Sequence, residues 1–248
     1  MSRGTVSAGF VIAALLTLPV QATTITFDTP SGAHDTDGPV SATVSFTMTG
    51  TTLYVSMTNN EANPTAAGQL LSDLSFVLSG GLNTGTLSNK ISSTVGSSNP
   101  ITVLDSSFNA TSTTSTPAKW QLSFGNSECV AGATSCYFLN DLTGGKPADM
   151  IIGPGPYTNA NPSITGHSPS LAGAVVFEID NIIGLTSNTT VSNVNLSFGT
   201  GPDGAFTLEN DGSGTNQGDP TPEPAVTFLA GAGLAALALV RKPRQVRI

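Results

Sequence analysis

Apolar side chains recur at every second position over long stretches of this chain, and that period decides its fold class. Ala42, Val44, Phe46 and Met48 alternate with Thr43, Ser45 and Thr47, and Leu53, Val55 and Met57 repeat the pattern beyond Gly50. Side chains two apart share one face of an extended strand, so each run carries an apolar face and a hydroxyl face. Gly50 between the two runs is a turn signal and predicts a hairpin. An apolar-Ser-Phe tripeptide ends at Phe46, Phe76, Phe124 and Phe198. Its spacing is irregular, so it marks half-buried strands and not a repeat unit.

Further strands are expected near residues 74–78, 84–87, 101–104, 120–124, 137–139, 174–179, 191–198 and 205–208. Helical periodicity is confined to the two ends, apart from one turn at residues 64–71. Roughly ten strands between Gly, Asn and Pro turns predict an all-β fold. The expected form is a two-sheet antiparallel β-sandwich, jelly-roll or immunoglobulin-like in order. Trp120 is in phase with Leu122 and Phe124 and is read as core. Residues 144–169 contain Pro147, Pro154, Pro156, Pro162 and Pro169 and read as a long surface loop.

The ends carry addresses. Arg3, an apolar stretch at residues 8–18 and Val20-Gln21-Ala22 compose a signal peptide, with cleavage after Ala22 and a mature chain starting at Thr23. At the other end Pro222-Glu223-Pro224 precedes an uncharged apolar run of 16 residues, 225–240, and then Arg241, Lys242 and Arg244. A helix spanning a bilayer prefers roughly 20 residues, and flanking Arg and Lys can make up a small deficit. The basic end stays on the cytoplasmic side, which puts the preceding chain outside. The expected organisation is a signal peptide at 1–22, a β-sandwich ectodomain at 23–208, a flexible linker at 209–221 and a C-terminal segment at 222–248 with a single hydrophobic helix.

The tail, over about residues 220–244, resembles the PEP-CTERM sorting signal of Gram-negative bacteria, with Thr221 where Val is common. The resemblance implies recognition by exosortase, a membrane-embedded cysteine-type protease, and cleavage near residues 222–224. It also implies export through the inner membrane, transient anchoring by residues 225–240, and a final place at the cell surface or outside the cell. Association with exopolysaccharide or a biofilm matrix belongs to the same implication. The rival reading of the tail is a plain membrane anchor.

Between the addresses, fifteen acids face only Lys90, Lys119 and Lys146, a net charge of −12 over residues 23–221. Such a surface repels nucleic acid and anionic lipid, which excludes both as partners. Cys129 and Cys136 are an even pair in an exported chain and are expected to form a disulfide, stabilising by about 2–3 kcal/mol.

Catalytic signals are sparse. Gly-x-Ser-x-Gly does not occur, and His34 and His167 are the only imidazoles, both read as exposed loop residues. Glu178 and Asp180 are two apart and share a face, as a glycosidase pair would, but they end a strand whose apolar side points away. Asp35 and Asp37 stand in His34-Asp35-Thr36-Asp37-Gly38, half a calcium loop with no later Glu, and are weak calcium candidates. No other metal or cofactor is expected. The chain therefore reads as a non-catalytic surface or extracellular-matrix protein. The alternatives are a carbohydrate-binding module with Tyr157 as a stacking aromatic, and, third, a secreted hydrolase.

Overall fold

The period-2 runs fold as strands. The structure, a computed structural model, describes residues 22–117, 119–125, 136–142, 147–201 and 206–210. In chain order the first strands are β1 (Thr23–Asp28), β2 (His34–Asp35), β3 (Gly38–Pro39), β4 (Ala42–Thr49), β5 (Thr52–Asn59) and β6 (Leu71–Leu78). There follow β7 (Thr86–Ser92), β8 (Ile101–Leu104), β9 (Ala110–Thr114), β10 (Gln121–Gly125), β11 (Cys136–Asn140) and β12 (Ile151–Ile152). A short helix α1 (Pro162–Gly166) precedes β13 (Ser170–Ala172), β14 (Val175–Asp180), β15 (Val191–Phe198), β16 (Phe206–Thr207) and β17 (Glu209–Asn210).

The fold is all-β. One sheet of six strands has the order β17-β1-β4-β5-β14-β7. The other, of nine strands, runs β10-β11-β6-β12-β13-β8-β9, with β15 also on β6 and β16 on β15. The sheets include a curled half-barrel. The expected hairpin is β4–β5, in register Met48↔Leu53 and Thr49↔Thr52. Its turn uses Gly50 at φ +60°, the left-handed region that glycine enters without a Cβ penalty.

Apolar faces of both sheets meet in one core. Phe46, Leu53, Val55 and Met57 of the six-stranded sheet share it with Leu74, Phe76, Tyr137 and Leu196 of the other. Phe46 and Phe76 join the sheets at 4.9 Å, and Tyr137 stacks on Phe76 at 5.0 Å. Each such side chain, fully buried, contributes about 1.5–3 kcal/mol. The Tyr137 hydroxyl donates to Thr84 O at 2.8 Å, so the ring is buried without orphaning its polar end.

Three features differ from the sequence reading. Residues 144–169 are not one surface loop. Met150, Ile151, Ile152 and Ile164 are all buried, β12 joins the nine-stranded sheet, and Ile152 and Ile164 pack with Leu70 and Leu104 in a second core. One of the prolines starts a helix: Pro162 opens α1 while the Asn161 side chain caps the Ser163 N–H at 2.8 Å. The Cβ that Gly153 lacks would stand 2.0 Å from Glu61 O, so glycine is what lets these backbones meet. Next, β1 and β9 add strands where none was expected, β9 being an exposed Ala-Thr-Ser-Thr-Thr edge without apolar alternation.

Finally, paired strand continues to Asn210, two residues into the stretch assigned to the linker. Residues 206–210 run from one sheet to the other, since β16 pairs with β15 and β17 with β1. Between them Leu208 is buried, and its N–H donates to Val194 O at 2.9 Å.

Residues 1–21, Cys129, Pro222, Glu223, Pro224, residues 225–240, Arg241, Lys242 and Arg244 lie outside the described residues. Among the described residues no helix is long and apolar enough to cross a membrane.

Candidate functional site

An edge strand has one side without a neighbour, and two such edges face one another here. Strand β7 ends the six-stranded sheet and β10 ends the nine-stranded sheet. Apolar alternation fades along β7, where only Ile91 and Ser92 are buried, so Thr86, Ser88 and Asn89 are left for solvent. A cleft of about 770 Å³ opens between these residues and Gln121, Leu122 and Phe124 of β10.

Trp120 contributes to the cleft lining, as does Pro117. The indole is core, as its phase indicates: it is 3% exposed, packs on Phe177 at 4.9 Å, and donates its Nε1–H to Asp149 O at 2.9 Å. Phe124 departs from that pattern. It packs edge-on against Tyr137 at 5.0 Å yet remains 39% exposed. Among the described lining residues none is ionisable. Hydroxyls and side-chain amides supply the polar groups, each able to donate and to accept.

The carboxylates singled out from sequence lie elsewhere. Glu178 and Asp180 share a face of β14, opposite Tyr54 across the β5 pairing, beside a small hollow of about 170 Å³ that also takes in Lys90 and Ser92. Partial burial raises the Glu178 pKa, the Asp180 charge and a hydrogen bond between the two carboxyls raise it further, and Lys90 lowers it. Thr52 Oγ1 donates to Asp180 Oδ1 at 2.9 Å.

Asp35 and Asp37 do converge. A Cβ on Gly68 would stand 2.6 Å from Asp37 Oδ2 and 2.8 Å from Asp35 Oδ2, and the Gly68 N–H donates to Asp37 Oδ2 at 3.0 Å. Two carboxylates are still short of a calcium shell, which takes six to eight oxygens. Among the described residues no three His, Cys, Asp or Glu side chains form a metal-ligating group.

His34 is exposed on β2; burial raises the Glu61 pKa and the nearby His34 lowers it. His167 follows α1 with Nδ1 2.9 Å from Pro147 O. Tyr157 is occupied on both counts: its ring stacks on Phe108 at 4.6 Å and its hydroxyl donates to Gly153 O at 3.0 Å. One face of the ring is thereby covered, and the residue is half-buried.

Sequence reasoning missed one buried acid. Asp141, directly after β11, is 0% exposed, and among the described residues neither carboxylate oxygen has a hydrogen-bond partner. Burial and then the nearby Asp149 charge push its pKa up to about 8, while the Ala148 N–H, short of full hydrogen-bond geometry, and the Lys119 charge pull it down. Asp149, also buried, is raised by the same burial and lowered by Lys119. Asp141 is buried and is not among the described lining residues of the cleft.

No family model, curated protein or solved structure matches this chain. Its site is therefore read from its own chemistry, which is suited to holding an uncharged polar ligand.

Proposed function

We propose that the chain is an exported, non-catalytic surface or extracellular-matrix protein of a Gram-negative bacterium, released from its C-terminal tail by exosortase and associated with exopolysaccharide. In this reading the two sheets, antiparallel except where β12 runs parallel to β13, form a β-sandwich, jelly-roll or immunoglobulin-like in order. A Cys129–Cys136 disulfide staples the β10–β11 connection, whose paired part closes at Gly125↔Cys136.

One observation carries the reading. Strand β1 starts at Thr23, the residue that follows the expected signal cleavage, and β17 ends at Asn210, before Pro222. The two strands pair with each other, Phe27↔Asn210 and Asp28↔Glu209. Both expected cuts thus fall outside every described strand, and removing both segments disturbs none of the described pairings. A processed cargo needs a domain that closes without its removed segments, and the pairing of β1 with β17 holds both ends of the described domain together.

Mass spectrometry of the protein recovered from its host is the test. It should find Thr23 at the N-terminus and no peptide from residues 225–248. Recovery of the intact tail would overturn the processing and leave a plain anchor.

A further inference from the structure

We infer that the cleft between β7 and β10 binds a stretch of uncharged polysaccharide. The inference rests on the reading above only for its setting, a matrix in which polysaccharide is at hand. The site itself is argued from three observations.

The first is charge. Residues 23–221 hold fifteen acids and three bases, yet no ionisable side chain lies among the described lining residues of the cleft. An anionic polymer is repelled by such a domain, and a cationic one finds no carboxylate among the described lining residues to pair with. A neutral ligand meets neither obstacle.

The second is the pairing chemistry. Thr86, Ser88, Asn89 and Gln121 line the cleft, and each offers a group that both donates and accepts. Sugar hydroxyls have the same double character and repeat along a chain. A peptide strand is recognised differently, through a row of free backbone groups and apolar pockets for alternate side chains. The edge of β7 is already partly used, because the Ile91 N–H donates to Ser115 O at 2.8 Å.

The third is Phe124. Only Val95, Phe124 and Ile183 are exposed large hydrophobics among the described residues, and only Phe124 lines the cleft. Its edge contact with Tyr137 fixes the ring, so stacking a pyranose on it orders little that was free before. The cleft volume, about 770 Å³, falls within the range of small-ligand sites.

The experiment is calorimetric titration of the full-length chain in mild detergent with cellohexaose, laminarihexaose and mannohexaose, with polygalacturonate as the charged comparison. At least one neutral hexaose should bind and polygalacturonate should not. Phe124→Ala should weaken binding about ten-fold with a Tm lower by a few degrees from the lost Tyr137 contact, and Asn89→Ala several-fold with thermal unfolding unchanged from the parent. The inference is overturned by no binding of any hexaose, by equal binding of polygalacturonate, or by parental affinity in both variants. It is also overturned if the hexaoses fail while the peptide Val-Thr-Val-Thr-Val-Thr slows amide exchange at residues 86–89, which makes the cleft a strand-pairing site. A processed tail without sugar binding would sink this inference alone. Sugar binding with an intact tail would sink only the processing.

Discussion

Replacing Asp141 by Asn should stabilise the protein, and by more as pH rises. Asp141 is fully buried, its backbone N–H is tied to Ser72 O at 3.0 Å, and its carboxyl is raised from 3.8 to about 8, chiefly by burial. Between those two values the folded state keeps a proton that the unfolded state releases. Stability from this group is therefore fully present below about pH 4 and falls by about 1.4 kcal/mol per pH unit, levelling off above pH 8. The accumulated cost is about 4 kcal/mol at pH 7 and roughly 6 kcal/mol above pH 8 as a ceiling, less wherever water reaches the ion. Asn has nearly the same shape and no proton to lose. Urea unfolding followed by the fluorescence of Trp120, the sole tryptophan, should be run on both proteins at several pH values from 4 to 9. Contributions of the other acids largely cancel in the difference, leaving a gap that opens by at least about 2 kcal/mol from pH 4 to 8. A gap that stays flat across that range would refute the reasoning.

Two further substitutions test the packing between the sheets. Asn59 is 2% exposed, donates from Nδ2 to Gln69 O at 2.8 Å and to Ile151 O at 3.0 Å, and accepts the Glu61 N–H at 3.0 Å. Asn59→Ala strands these groups and should cost about 3 kcal/mol in urea unfolding, with an unchanged dependence on denaturant. Gly153→Ala sets a Cβ 2.0 Å from Glu61 O, a backbone atom that cannot swing aside. It should cost about 3 kcal/mol or more, seen as a fall in Tm, and a parental Tm would show that the two backbones lie further apart than described.

The strands that sequence placed well are those whose period writes the buried face directly. Residues 191–198, expected as a strand, are β15 from end to end. Residues 150–152 are a buried Met-Ile-Ile run too short to show a period, and the surrounding prolines disguised it. The candidate site was hidden for a different reason. Leu74-Ser75-Phe76 and Leu122-Ser123-Phe124 are the same tripeptide, yet Phe76 is 0% exposed and Phe124 39%. Strand β6 has neighbours on both sides, whereas β10 is an edge. Sheet position is a property of the whole chain, and no local pattern records it. Asp141 is a similar case, because its environment comes from Asp149, Ala148 and Lys119, none adjacent in sequence.

The strip at residues 206–210 sets where the domain would first give way under load. It fastens an edge of each sheet, two residues to β15 and two to β1, with Leu208 as the pin between them. On a tail that is anchored, tension arrives first at these four residue pairs and at Leu208, which the strip contributes to the shared core. A tug on the tether would therefore undo the latch between the sheets while the long ladders of β4, β5 and β6 still hold. Under the proposed processing, loss of the tail would remove that lever and leave the latch closed.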